Sequence, residues 1–175
     1  AVPWVRRAVV QREFPNRLRV VLQEHQPVAL WGSEGDSTLV NSFGEVFEAN
    51  VGDVEQDDLP RLQGPEGQSA QVLAMYQALV PLFDAIDLTV SQLVLTGRGS
   101  WQATLDTGAD IELGRGTPGE VMPRVQRFTQ TLTQVTSKYG RRVDALESAD
   151  LRHGDGYALR LRGVTTVITD GAKKP

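Results

Sequence analysis

The stretch Ser100-Trp101-Gln102-Ala103-Thr104-Leu105-Asp106-Thr107-Gly108-Ala109-Asp110-Ile111-Glu112-Leu113 decides the fold class. Trp101, Ala103 and Leu105 alternate with Gln102, Thr104 and Asp106, and Ala109, Ile111 and Leu113 alternate with Asp110 and Glu112. A period of two puts one set of side chains on a buried face and the other in solvent, so 100–106 and 109–113 are predicted as strands. Leu88–Thr96 reads as a third strand just upstream. Downstream the period changes. Val121, Val125, Phe128, Leu132, Val135 and Tyr139 step by four and three, the stripe of a helix from Pro118 to Tyr139, with Gly140 placed to stop it.

A helix follows Gly64-Pro65-Glu66-Gly67, with Val72, Leu73, Tyr76, Leu79, Val80 and Phe83 on one side. Pro81, which lacks an N–H, is expected to kink or end it. Val5–Arg12 and Arg17–Glu24 read as two strands around the turn Phe14-Pro15-Asn16. Leu18, Val20 and Leu22 carry the alternation, and Pro27 is expected to end the second strand. Leu39–Asn41 and Glu45–Ala49 form a second candidate hairpin. The last two predicted strands are Arg142–His153 and Gly156–Gly163, joined at Gly154-Asp155-Gly156, where Asp-Gly is a two-residue hairpin signal. The threonines with Val167 and Ile168 could extend a strand into the tail 164–175. The class is α+β.

The 175 residues are enough for one or two domains with a real core. There are 18 Lys and Arg against 22 Asp and Glu, a net charge of −4, which argues against bulk binding of nucleic acid or anionic membrane. No apolar run reaches the length of a membrane span, and residues 1–12 lack the form of a signal peptide. Cysteine is absent, which removes disulfides, thiolate metal sites and cysteine nucleophiles together. The opening Ala1-Val2-Pro3-Trp4-Val5 starts in mid-element and reads as a fragment of a longer protein. Charge is uneven: residues 1–31 are net +3, residues 32–68 net −8 and residues 69–175 net +1. The shift after Trp31 suggests a boundary, and Asp53-Val54-Glu55-Gln56-Asp57-Asp58 reads as a solvated loop without calcium-loop spacing.

Few motifs carry chemistry. Gly114-Arg115-Gly116-Thr117-Pro118-Gly119 matches the dinucleotide pattern G-x-G-x-x-G between a strand and a helix. Thr117, Pro118 and Glu120 form a complete helix start without a phosphate, and no acid stands about 20 residues further on. His25 and His153 have no triad partners, and no pair of carboxylates has favoured spacing. An enzyme is not expected, nor is a cofactor or a metal site. The final predicted strand places Tyr157, Leu159 and Leu161 against Ala158, Arg160 and Arg162. Its outer edge is either capped by residues 164–170 and kept soluble by its arginines, or open to a partner's strand.

Several pieces in order carry a resemblance. They are Pro3-Trp4-Val5, Phe14-Pro15 with Leu18 and Val20, and Glu24 with Pro27-Val28-Ala29 and Trp31. Then come Leu39-Val40-Asn41 with Gly44 and Val46-Phe47, Leu59-Pro60 with Leu62, and Gly64-Pro65-Glu66-Gly67. Arg98 with Ser100-Trp101, Leu113-Gly114-Arg115-Gly116, Arg127-Phe128 and Asp150-Leu151-Arg152 complete the set. Over residues 1–163 the chain resembles the FtsQ/DivIB family of bacterial cell-division proteins, in a Gram-negative form. The resemblance implies the last hairpin of a POTRA domain (1–27), then a β domain (28–163) with a mainly antiparallel sheet packed by two helices, then a tail (164–175). It implies a non-catalytic scaffold, anchored in the inner membrane by a single helix upstream of this chain, with this part in the periplasm at the division septum. The implied partners are FtsB and FtsL of the divisome, with regulation of septal peptidoglycan synthesis as the consequence. FtsB is expected to add a strand to the last strand of the β domain, at Gly156, Tyr157, Ala158, Leu159 and Leu161. Arg98 and Arg152 are expected to meet its acidic groups, with His153 and Asp155 beside them. His153 stands where the family usually has Tyr, Asp155 where Ser is found, and Leu161 where Trp can occur. The alternative is a POTRA-bearing module of outer-membrane protein assembly or secretion.

Overall fold

Alternating strands and two amphipathic helices build the chain, and the computed structural model describes residues 2–49, 58–164 and 167–169. In chain order the first strands are β1 (Val5–Glu13), β2 (Arg17–Glu24), β3 (Pro27–Trp31), β4 (Thr38–Asn41), β5 (Val46–Glu48) and β6 (Arg61–Gln63). Helix α1 (Ser69–Asp84) leads to β7 (Val90–Leu95), β8 (Ser100–Leu105) and β9 (Asp110–Arg115). Helix α2 (Pro118–Lys138) and a 3-10 turn (Val143–Ala145) precede β10 (Leu146–Asp150), β11 (Tyr157–Leu161) and β12 (Val167–Thr169). Among the described residues β1 and β2 form their own two-stranded sheet, and ten strands form a second in the order β12-β11-β10-β9-β8-β7-β6-β3-β4-β5. Pairing in the large sheet is mainly antiparallel; β3–β6, β6–β7 and β9–β10 are parallel.

The parallel steps β6–α1–β7 and β9–α2–β10 need crossovers, and both move in the same direction across the sheet. Right-handed crossovers of equal direction put both helices on one face. Phe83 of α1 and Phe128 of α2 meet there with ring centroids 6.4 Å apart. Val72, Leu73, Met75 and Leu79 are buried from α1, and Val121, Val125, Leu132 and Val135 from α2. They cover Leu93, Trp101, Ile111, Leu113, Leu159 and Leu161 in one core. The helix-free side of β7–β11 carries Gln92, Gln102, Thr104, Asp110 and Glu112.

A smaller cluster joins the two sheets. Leu30, Leu39, Phe47 and Ala49 pack with Trp4. The Phe47 ring stacks on His25 at 4.2 Å and meets Trp4 edge-on at 5.7 Å. Asn41, fully buried, accepts the N–H groups of Phe43 and Glu45 at 2.9 Å each through Oδ1. Its Nδ2 is thereby the donor toward His25 Nδ1 at 2.8 Å, which makes that ring nitrogen the acceptor. Arg6 bridges to Glu45 at 2.7 Å.

Several sequence expectations change. Pro27 opens β3 rather than merely ending β2, because the first residue of a strand tolerates a missing N–H. Arg61–Gln63, with no alternation to announce it, is a central strand between β3 and β7. Helix α1 runs past Pro81 to Asp84: Pro81 forfeits only its own N–H bond, and Ala85 donates to Pro81 O at 3.3 Å, so the last turn still closes. The Asp-Gly signal does not make a two-residue hairpin. Leu151 donates to Glu112 O at 2.8 Å, so β10 is held to β9 and residues 151–156 form the loop. Val143–Ala145 is a 3-10 turn, not strand. Asp53–Asp57 of the acidic stretch lie outside the described residues. Among the described residues the last strand is β12, so β11 is not the outermost one.

Candidate functional site

Strand β11 follows from alternation. Tyr157, Leu159 and Leu161 are 5%, 2% and 1% exposed, and Ala158 and Arg160 point the other way. The Tyr157 ring meets Phe128 edge-on with centroids 5.0 Å apart, and its hydroxyl lies 2.6 Å from Thr131 Oγ1. Burial pushes the Tyr157 phenol above its usual range, so the ring is neutral in the core. Phe128 and Thr131 sit three residues apart on one side of α2, the spacing that lets both reach the same strand. One turn earlier, Arg127 Nη1 donates to Gly154 O at 3.1 Å and ties the 151–156 loop to the helix.

The strand's two sides are both used. On one, β10 pairs Asp150 with Ala158, Ala149 with Leu159 and Ser148 with Arg160. On the other, β12 pairs Thr169 with Tyr157, Ile168 with Ala158 and Val167 with Leu159. Of the two readings of this edge, the capped one describes the free chain.

Arg152, His153 and Asp155 are exposed on the loop that enters β11, and Gly156 is half-buried. Arg152 clamps Asp150 with Nη2 at 2.6 Å and Nε at 2.9 Å, and its backbone N–H donates to the same carboxylate at 3.0 Å. These hydrogen bonds hold the Asp150 carboxyl below its usual range and raise Arg152. The guanidinium still has donors to spare, on a side chain 60% exposed. Arg98 is exposed at the β7–β8 turn, beside Gly99 at φ 80°, and has no hydrogen bond or ion pair to another described residue.

Arg98 and Arg152 lie at the same end of the sheet, with the end of β9 between them. Ser100 pairs with Arg115 there. Strands spaced about 4.8 Å put Arg98 and Arg152 roughly 10–15 Å apart along that end. Arg115 is a third exposed guanidinium in the row, which sequence reasoning did not single out; its signal is its place as the last residue of an alternating strand. Thr131 and Arg127 also went unassigned as supports of β11, since only the tertiary fold shows what faces them. Gly114 makes the row possible. It has φ 80°, and a Cβ there would stand 3.0 Å from Arg152 Cγ and 3.0 Å from Arg124 Nη1.

The glycine motif is consumed by its own chain. Arg124 Nη1 donates to Leu113 O and Arg115 O at 2.9 Å each, and Trp101 Nε1 donates to Gly116 O at 3.0 Å. At the start of α2 the Thr117 N–H donates to Glu120 Oε2 at 2.9 Å, so a carboxylate holds the place a phosphate would take. No cluster of three metal-ligating side chains exists among the described residues, and none of their helices is long and apolar enough to cross a membrane.

Comparison with known proteins places the chain among cell-division proteins. A family model described as "Cell division protein FtsQ/DivIB, C-terminal" matches residues 29–152. The chain is 42% identical over 166 residues to a "Cell division protein FtsQ" of Thiomonas arsenitoxydans, covering 94% of this chain and 60% of the relative. It is 40% identical over 174 residues to that of Bordetella pertussis, covering 92% of this chain and 62% of the relative. For Burkholderia pseudomallei the figures are 37% over 175 residues, 99% and 67%. The chain thus spans about three-fifths of the length of the first two relatives.

Proposed function

The chain belongs to the FtsQ/DivIB family of bacterial cell-division proteins, and from that premise we propose that it is a non-catalytic scaffold of the divisome. It holds FtsB, and FtsL with it, and so helps regulate septal peptidoglycan synthesis. FtsB adds a strand along the β11 edge, and its acidic groups reach Arg98 and Arg152. The observation that supports this reading is geometric: β11 lies next to the margin of the sheet, covered on its outer side by the three-residue β12, and is entered by a loop that presents Arg152, with Arg98 exposed at the same end. A planar guanidinium holds a carboxylate through two parallel bonds, which suits orientation and partner choice.

Under the same proposal, 1–27 is the last hairpin of a POTRA domain, 28–163 the β domain and 164–175 a tail. The β1–β2 hairpin supports this division: Leu18, Val20 and Leu22 are 72%, 56% and 55% exposed, an apolar surface of the kind a larger domain covers. The whole protein is then a single-pass inner-membrane protein with this part in the periplasm at the septum.

The experiment is a titration of the periplasmic segment of FtsB from the same genome. Arg98→Glu and Arg152→Glu should each weaken binding about fivefold to tenfold, since an exposed charge-assisted pair contributes about 1 kcal/mol. Unchanged affinity in both variants removes the arginines from the site. Undiminished binding with prolines placed along 156–161 sinks strand addition.

A further inference from the structure

We propose that β12 is an internal competitor for the β11 edge, so that a partner strand binds only by displacing this chain's own tail. The inference rests on the strand-addition reading above and concerns how that site is regulated. A strand offers two hydrogen-bonding sides. The inner side of β11 is taken by β10, and the outer side is taken by β12 at Tyr157, Ala158 and Leu159. These are positions a partner strand needs, and both strands cannot hold them together.

The tail has the composition of a strand. Thr165, Thr166, Val167, Ile168 and Thr169 are five β-branched residues in a row, with no charge among them. A sheet edge guarded against association carries charges or proline instead. The described part of β12 is also short, three residues against the five of β10. A short terminal strand on one neighbour is weakly held. Its connection through 162–166 keeps it at high effective concentration, so it returns whenever the edge is vacant. Val164, which packs against the core and donates to Leu161 O at 3.1 Å, fixes the start of that connection.

β12 is paired with β11 in the structure, so the closed form is at least as populated as the open one. Apparent affinity for a partner is reduced by the fraction of open edge, so removing β12 should tighten binding about twofold or more.

Two variants of the full chain test this. One ends after Val164, which keeps the core contact and the turn. The other carries Val167→Pro and Ile168→Pro; successive strand residues point their N–H groups to opposite sides, so one of the two faces β11. Two measurements are made on each: amide exchange along 157–161 in the free protein, and calorimetric titration with the FtsB periplasmic segment. The expected result is faster exchange in both variants together with tighter FtsB binding. Exchange unchanged in both variants overturns the inference while leaving strand addition standing if FtsB binds. Faster exchange with unchanged or weaker affinity overturns the competition. Faster exchange with no FtsB binding in any form overturns the strand-addition reading itself, and the competition with it.

Discussion

Replacing Tyr157 by Phe removes one hydroxyl from β11 and leaves the ring, its edge-on contact with Phe128 and the backbone of the strand in place. The hydroxyl lost lies 2.6 Å from Thr131 Oγ1 in a half-buried setting. Thr131 keeps a second bond, to Arg127 O at 2.8 Å, so its proton is not left without an acceptor. The neutral hydrogen bond to Thr131 contributes about 1 kcal/mol of what is lost. With a urea slope of about 2 kcal/mol/M, the unfolding midpoint should fall by about 0.5 M. There is a pH signature as well. Burial raises the folded phenol above the unfolded value near 10. A raised acid favours the protonated state, so its stabilisation is whole below pH 10 and is lost as pH climbs from there through the folded pKa. Tyr76, also raised by burial, contributes in the same direction. Y157F should therefore flatten the alkaline loss of stability only in part. Partner affinity should stay within about twofold, because the ring faces α2 rather than the edge. Urea melts from pH 7 to 11, with an FtsB titration, decide it. A tenfold loss of partner affinity with an unmoved urea midpoint would refute the reasoning, since the ring would then be an anchor outside the core.

Gly114→Ala should destabilise the chain by about 1–3 kcal/mol, through its φ of 80° and the 3.0 Å approaches to Arg124 and Arg152, and should weaken FtsB binding by displacing Arg152; thermal melts and titration check both. Asp150 is held low chiefly by its Arg152 hydrogen bonds, so its contribution is present above the unfolded pKa and is lost as pH falls through the folded one. Asp150→Asn should remove part of the acid-side loss as pH falls below about 4, the unfolded carboxyl value, by a small, salt-sensitive amount because Arg152 is exposed, as urea midpoints at two ionic strengths will show.

Much of the fold is legible because it is built from local periods. The stripe of α2 and the alternations of β8 and β9 each state their own buried face. What stays hidden is non-local. β6 is three residues long and exists because β3 and β7 both pair with it in parallel, a relation no short window contains. The Asp155-Gly156 turn signal yields to Leu151, whose N–H is held by Glu112 across the sheet. At the candidate site, alternation shows that Tyr157, Leu159 and Leu161 share a face. Only Phe128 and Thr131, brought over from α2, decide that this face is the core. Arg98 and Arg152 were reached through resemblance, and Arg115 between them became visible once strand order put three strand ends side by side.

The inward turn of β11 also separates two candidate positions that look alike in sequence. Leu161 is 1% exposed and paired with Leu146, itself fully buried. Its side chain offers nothing to a partner, so Leu161→Trp should overpack the core and cost about 1–3 kcal/mol without strengthening binding. His153 is exposed on the loop entering the strand. His153→Tyr adds an aromatic surface at the rim without disturbing any buried contact, and aromatic residues are favoured at the centres of interfaces. It should leave the urea midpoint unchanged and tighten FtsB binding by up to about 1 kcal/mol, roughly fivefold. A destabilised H153Y, or an L161W that binds more tightly at wild-type stability, would reverse the assignment of which position faces out. The reason for expecting the opposite is that the period of two allows Leu161 and Tyr157 only one face between them, and Phe128 already occupies it.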